Sequence, residues 1–124
     1  MDQAFLLEQK VWAVVGATQD PEKYGNKIYR KLKSTGYKVY PINPSYKDID
    51  GDPCYKNLSS LPEIPQVINM VVAPHRGEKI INEAAQLGIK YAWFQPGSID
   101  DELLELTKKL GIQSVQACVL VAKS

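Results

Sequence analysis

The sequence predicts an α/β fold, a doubly wound five-stranded parallel sheet with helices on both faces, three layers in all. Two observations carry that expectation. Three joints resemble one another: Leu32-Lys33-Ser34-Thr35-Gly36-Tyr37-Lys38-Val39, Ala85-Gln86-Leu87-Gly88-Ile89-Lys90-Tyr91-Ala92 and Lys108-Lys109-Leu110-Gly111-Ile112-Gln113-Ser114-Val115. Each is a helical pattern closed by glycine, then an apolar residue, then a strand. Glycine suits the left-handed position that ends a helix, and the apolar residue after it packs back. The second observation is that Val11–Val15 and Val67–Val72 are nearly continuous apolar runs, as strands covered on both faces require.

The elements follow in order. Strands are expected at Val11–Val15, Tyr37–Ile42, Val67–Val72, Tyr91–Phe94 and Ile112–Ala117. A helix over about Gly25–Ser34 sets Ile28, Tyr29 and Leu32 on one face, and one over about Arg76–Leu87 turns Ile80, Ile81, Ala84 and Ala85 inward. The last helix, about Ile99–Leu110, has Ile99, Leu103, Leu106 and Leu110 on a stripe, with Ser98 and Asp101 forming a capping-box variant at its start. Trp12 and Trp93 fall in strands and are expected in the core. Between the second and third strands, Pro44–Pro65 is rich in Pro, Asp, Asn and Ser; it reads as a long surface connection with a short strand or turn at Gly51–Tyr55.

Composition bounds the function. The 124 residues suit one domain spanning 1–124, large enough for a core without metal or disulfide staples. With 44% hydrophobic and 23% charged residues, neither disorder nor a membrane span is indicated. The net charge of +1, with cations scattered, lacks the basic stripe a nucleic-acid binder needs. No basic leader precedes an apolar run at the amino terminus, and Cys54 and Cys118 match no CxxC or zinc pattern. The expectation is a cytoplasmic protein with two reduced thiols and no metal site.

In an open doubly wound sheet, ligands sit beyond the carboxyl ends of the strands where strand order reverses. The candidates are therefore the residues just after each strand. Gly16, Ala17, Thr18 and Gln19 follow the first; the glycine lets backbone amides approach a diphosphate while the next helix points its positive end the same way. Gly16 and Gly25 lie nine residues apart, so the GxGxxG dinucleotide fingerprint is missing. After the second strand come Asn43 and Pro44, with no acid until Asp48 and with Lys47 and Lys27 nearby. A carboxylate there would serve free ribose hydroxyls. A neutral amide with lysines accepts a phosphorylated ribose, which both NADP and coenzyme A carry; termination of the strand by Asn43-Pro44 is the equally plain structural alternative. Ala73, Pro74, His75 and Arg76 follow the third strand. His75, the single histidine, has no evident catalytic partner, and the acids Asp100, Asp101, Glu102 and Glu105 suit a helix start instead of an acid–base pair. No catalytic residue is expected.

Val14-Val15-Gly16-Ala17-Thr18, Lys23-Tyr24-Gly25-Asn26-Lys27-Ile28 and Gly36-Tyr37-Lys38-Val39-Tyr40-Pro41-Ile42-Asn43-Pro44, followed by Gly51, closely resemble the small stand-alone CoA-binding domain proteins. These are Rossmann-type domains related to the nucleotide-binding half of the succinyl-CoA ligase alpha subunit. The resemblance runs from about Val11 to Cys118. It implies that Ala17–Asp20 meets the coenzyme's phosphates and that Asn43, Pro44 and Lys47 lie beside the adenosine and its ribose phosphate. Ala73 and Pro74 would line the adenine or pantetheine path, with Arg76 a phosphate partner and Gln95–Gly97 next along the thiol arm. Tyr24, Asn26 and Lys27 would chiefly shape the first loop and helix. Two departures stand out: the arginine that many relatives carry before the proline is displaced to Arg76, and Gln116-Ala117 replaces their Asp-Arg before Cys118. The implied function is binding of coenzyme A or acyl-CoA without catalysis by this chain alone. The alternatives are an NADP-linked oxidoreductase-like domain, or a regulatory or scaffold subunit with a vestigial pocket. A protein partner or homo-oligomer is left open.

Overall fold

Alternating helices and strands produce the expected sheet. The computed structural model describes residues 2–123. In chain order the elements are α1 (Gln3–Leu7), β1 (Val11–Val15), α2 (Tyr24–Ser34), β2 (Lys38–Ile42), β3 (Asp48–Ile49), β4 (Asp52–Pro53), a 3-10 turn (Leu58–Ser60), β5 (Val67–Met70), α3 (Pro74–Gln86), β6 (Tyr91–Phe94), α4 (Asp101–Lys109), β7 (Gln113–Gln116) and α5 (Val119–Ala122). The large sheet runs β2-β1-β5-β6-β7, every pair parallel. Strand order reverses between β1 and β5. That boundary is where such a fold opens a crevice.

Alternation along the strands divides the core between two layers. Trp12, Val14, Val67 and Trp93 pack with Leu6 of α1, Ile28, Tyr29 and Leu32 of α2, and Val119 of α5. Ala13, Val15, Ile68, Met70, Ala92 and Phe94 pack with Ile81 and Ala84 of α3 and Leu103 of α4. Both tryptophans are fully buried; the indole N–H of Trp12 donates to the Gln9 carbonyl and that of Trp93 to the Ala117 carbonyl, so neither pays an unsatisfied donor. Gly36, Gly88 and Gly111 all have positive φ, as the three repeated joints require.

The structure adds two short helices and corrects one cap. α1 and α5, of five and four residues, are too short to leave a periodic signal. The α4 cap is Asp100, whose carboxylate accepts from the Leu103 N–H, and not Ser98 with Asp101. Ser98 is buried in the turn after β6, where its N–H bonds the Gln95 carbonyl and Gly97 takes positive φ, so the helix starts later. Among the described residues no helix is long and apolar enough to cross a membrane.

The long connection is more ordered than composition indicates. β3 and β4 form a hairpin around Asp50 and Gly51, both at positive φ, the conformation of a tight two-residue hairpin turn. Tyr55 then bridges to Ile42 at the end of β2. Further on, Glu83 of α3 accepts from the N–H groups of Leu58 and Ser59 and from the Ser59 hydroxyl, holding the 3-10 turn. The hairpin is fastened to α2 by one carboxylate: the Tyr29 hydroxyl and the Lys33 ammonium both donate to Asp52. Arg30 and Asp50 add an exposed ion pair at 3.8 Å. Lys33 and Tyr29 hold the Asp52 carboxyl below the usual carboxylate range, while burial and then Asp52 push the Tyr29 phenol up.

A depressed carboxyl pKa contributes stability that is full above the unfolded value, about 3.9, and is lost as pH falls through the folded value. Replacing Asp52 with Asn should lower stability at pH 7 by about 1 kcal/mol, because the group is partly exposed and screened. Thermal melts of the two proteins should draw together as pH falls from the unfolded value of about 3.9 through the depressed folded value. A gap that stays equal from pH 7 down to the most acidic pH at which both proteins remain folded would show that the charge of Asp52 is not what holds the hairpin.

Candidate functional site

The site is built on one close approach of backbone to backbone. Gly16 ends β1 with φ +98, and its N–H donates to the Ile42 carbonyl at 3.0 Å. A Cβ on Gly16 would lie 2.9 Å from Val72 Cγ1 and 3.1 Å from the Val71 carbonyl. A Cβ on Gly25 would stand 2.2 Å from the Gly16 carbonyl oxygen. Two glycines therefore let the first turn of α2 rest directly on the end of β1, beside the start of the β5–α3 connection. Asn26, the next residue, ties the loop down by donating to the Thr18 carbonyl at 2.9 Å.

The Gly16–Asp20 loop and the loop after β2 are held together by side-chain hydrogen bonds. Asn43 donates its amide to the Ala17 carbonyl at 2.8 Å, and Gln19 donates to the Asp48 carbonyl at 2.8 Å. The hydroxyls of Thr18 and Tyr46 share a hydrogen bond of 2.9 Å. Asn43 also accepts from the Ser45 N–H, an Asx turn that bends the chain at Asn43-Pro44. Cys54 backs this loop, its N–H on the Lys47 carbonyl and its thiol near the Asn43 carbonyl at 3.5 Å; burial pushes that thiol's pKa up. Among the described residues, no protein group accepts from the N–H groups of Ala17, Thr18 or Gln19. Asp20 N–H is taken by the Thr18 hydroxyl. Loop donors and the start of an eleven-residue helix thus share one rim, the arrangement that suits an anion.

The remaining candidates spread along that rim. Ala17 and Thr18 are largely buried, so their backbone is what they can offer a ligand, whereas Gln19, Pro44 and Lys47 are exposed. Lys27 is exposed one turn into α2, its ammonium 5.7 Å from the centre of the Tyr24 ring. Ala73 and Pro74 open α3 across the β1–β5 boundary, Ala73 as the exposed residue before the helix and Pro74 in its first turn. Arg76 is exposed in the same turn. Pro74 and His75 border a shallow groove with Glu78, Asp100 and Leu103, on the α3–α4 side. Gln95, expected along the same rim, is turned inward: it is buried and its side-chain oxygen accepts from the Val119 N–H at 3.0 Å. Tyr46 follows β2 like the other candidates of this loop, but its partner Thr18 lies 28 residues away and no local pattern marks the pair.

An open parallel sheet of this order, with loops gathered at the carboxyl ends of its strands, is a Rossmann-like α/β domain. Comparison with known proteins narrows the class. The sequence profile of the CoA binding domain matches residues 10–124, and the chain belongs to that family. It is 30% identical over 120 residues to the ADP-forming acetate–CoA ligase I of Archaeoglobus fulgidus, covering 89% of this chain and 18% of the ligase. The chain thus spans less than a fifth of that ligase, and 17% of the Methanocaldococcus jannaschii enzyme. A protein of Bacillus subtilis, YneT, is of similar size: 27% identity covers 94% of this chain and 87% of that one. Among solved structures, a conserved hypothetical protein from Pyrococcus furiosus superimposes with a TM-score of 0.85 at 38% identity, covering 91% of this chain and 98% of that chain.

The glycine contact has a direct test. Gly25→Ala should cost about 3 kcal/mol, since the obstacle is backbone that cannot rotate aside. Gly77→Ala, also buried in a helix, should cost about 1 kcal/mol, because its Cβ would meet the movable Leu103 Cδ2 at 2.9 Å. Urea denaturation of the two variants reads the difference. Equal costs would mean that the α2 turn can lift from Gly16 without penalty.

Proposed function

We propose that the chain binds coenzyme A or acyl-CoA at the carboxyl rim of its sheet and does not catalyse a reaction by itself. The observation that carries this is the Gly16–Gly25 junction, beside which loop amides lack acceptors among the described residues and α2 begins, next to the β1–β5 boundary. In this reading Gly16, Ala17, Thr18 and Gln19 present backbone donors to the diphosphate. Asn43 and Pro44 form the wall beside the adenosine, and Lys47 faces the ribose phosphate. Lys27 adds positive field from α2. Ala73 and Pro74 flank the pantetheine path, with Arg76 at its edge.

Membership in the CoA binding domain family supports the choice of coenzyme A over NADP. The chemistry agrees. The loop after β2 holds an amide and a lysine where a carboxylate would repel a phosphorylated ribose. His75, the single histidine, lies on the α3–α4 side. The greater length of the matching ligases favours a second reading, in which this domain serves as one module beside other domains or chains.

Thermal shift with coenzyme A, dephospho-CoA, NADP and NAD tests the proposal. A ligand at a hundred times its dissociation constant adds about 2.7 kcal/mol, near 10 °C for a chain of this size. Coenzyme A should raise the melting temperature more than NADP or NAD; a shift with NADP and none with coenzyme A would refute the proposal. No shift with any of the four would favour the module reading. Lys47→Ala should weaken coenzyme A about fivefold and leave dephospho-CoA unchanged, the worth of one exposed charge contact of about 1 kcal/mol. Equal weakening of both, by calorimetry, would remove Lys47 from the ribose phosphate.

A further inference from the structure

We propose that Asn26 and Asn69 hold a buried water molecule that joins the first turn of α2 to the central strand β5, beneath the Gly16–Asp20 loop. Asn69 sits within β5 between Val14 of β1 and Trp93 of β6 and is fully buried. Neither its side-chain oxygen nor its nitrogen bonds any group among the described residues. Asn26 is 1% exposed; its nitrogen donates to the Thr18 carbonyl, and its oxygen has no partner among the described residues. An amide left unpaired in an apolar interior is a rare and costly arrangement, and here two share one protein.

The two side chains belong to the same layer. Strand alternation puts Asn69 on the face of Val67, Val14 and Trp93, the face that packs with Ile28 and Tyr29 of α2. Asn26 lies on the buried stripe of α2, one turn before Tyr29. Gly25 rests on the Gly16 carbonyl, so Asn26 stands over the end of β1, and Asn69 is on the neighbouring strand in register with Val14.

The chemistry of the three orphan atoms selects the occupant. Asn69 asks for a donor and an acceptor at once, and Asn26 asks for a donor. A cation would leave the Asn69 nitrogen unserved, and an anion would leave both oxygens facing like charge. Water donates and accepts, and a buried water commonly makes about three hydrogen bonds. The pantetheine arm carries amides of the same dual character, but Asn69 is sealed from solvent. The proposal is independent of which ligand the rim binds.

Two measurements test it. A crystal structure of the wild-type protein at about 1.2 Å should show a water within about 3 Å of Asn26 Oδ1 and of an Asn69 side-chain atom. Oxygen-17 relaxation dispersion in solution should count one fewer long-lived water in Asn69→Leu, a variant close in volume, than in the wild type. The proposal falls if the amides bond each other or protein carbonyls with no water between, or if the variant retains the full count. It also falls if that space fills only in crystals soaked with coenzyme A. Should Asn69→Leu fail to fold, the wild-type crystal alone decides.

Discussion

The contact between Gly25 and the Gly16 carbonyl sets the geometry of the whole rim. A Cβ on Gly25 would come within 2.2 Å of that carbonyl oxygen, so only glycine lets the helix pack this closely on the strand end. The loop between them leaves the Ala17, Thr18 and Gln19 N–H groups without an acceptor among the described residues. The same approach fixes the height of α2 above β1 and β5, so the packing of Ile28 and Tyr29 on Val14 depends on it as well.

A second tier of hydrogen bonds makes the rim a single unit. The loop after β1 is laced to the loop after β2 by Asn43, Gln19 and the Thr18–Tyr46 pair. The second loop continues into the β3–β4 hairpin, which Asp52 fastens back onto α2 through Tyr29 and Lys33. The chain therefore closes a circuit from α2 through both loops to α2 again. A ligand seated on this rim would meet groups already positioned, which lowers the ordering cost of binding. Lys27, Lys47 and Arg76 are exposed cations on long side chains around this hydrogen-bonded frame.

Much of this was legible in the order of residues. Five strands and three long helices were readable because each repeated joint combines helical periodicity, a glycine and an apolar residue, all within eight positions. The rim candidates at Gly16–Gln19 and Asn43-Pro44 were readable because they directly follow strands, and in an open sheet that position alone assigns them to the carboxyl edge. Gln95 shows the limit of such reasoning. It also follows a strand, yet its side chain is consumed by the Val119 N–H of a four-residue helix that no periodicity announces. The cap at Asp100 escaped for a related cause: Ser98 was already engaged in a turn.

Local order along the chain determined the fold class, the parallel arrangement and the residues that follow each strand at the carboxyl edge, because helix and strand periods and glycine stops are properties of neighbouring residues. The tertiary structure alone decided which side chains are spent and which remain free. Tyr46 meets Thr18 across 28 residues, Asp52 reaches Tyr29 across 23, and Asn69 is shut between β1 and β6 with no side-chain partner among the described residues. Each is a matter of distance between segments remote in sequence, and such distances exist only after the sheet has closed and the helices have settled on it.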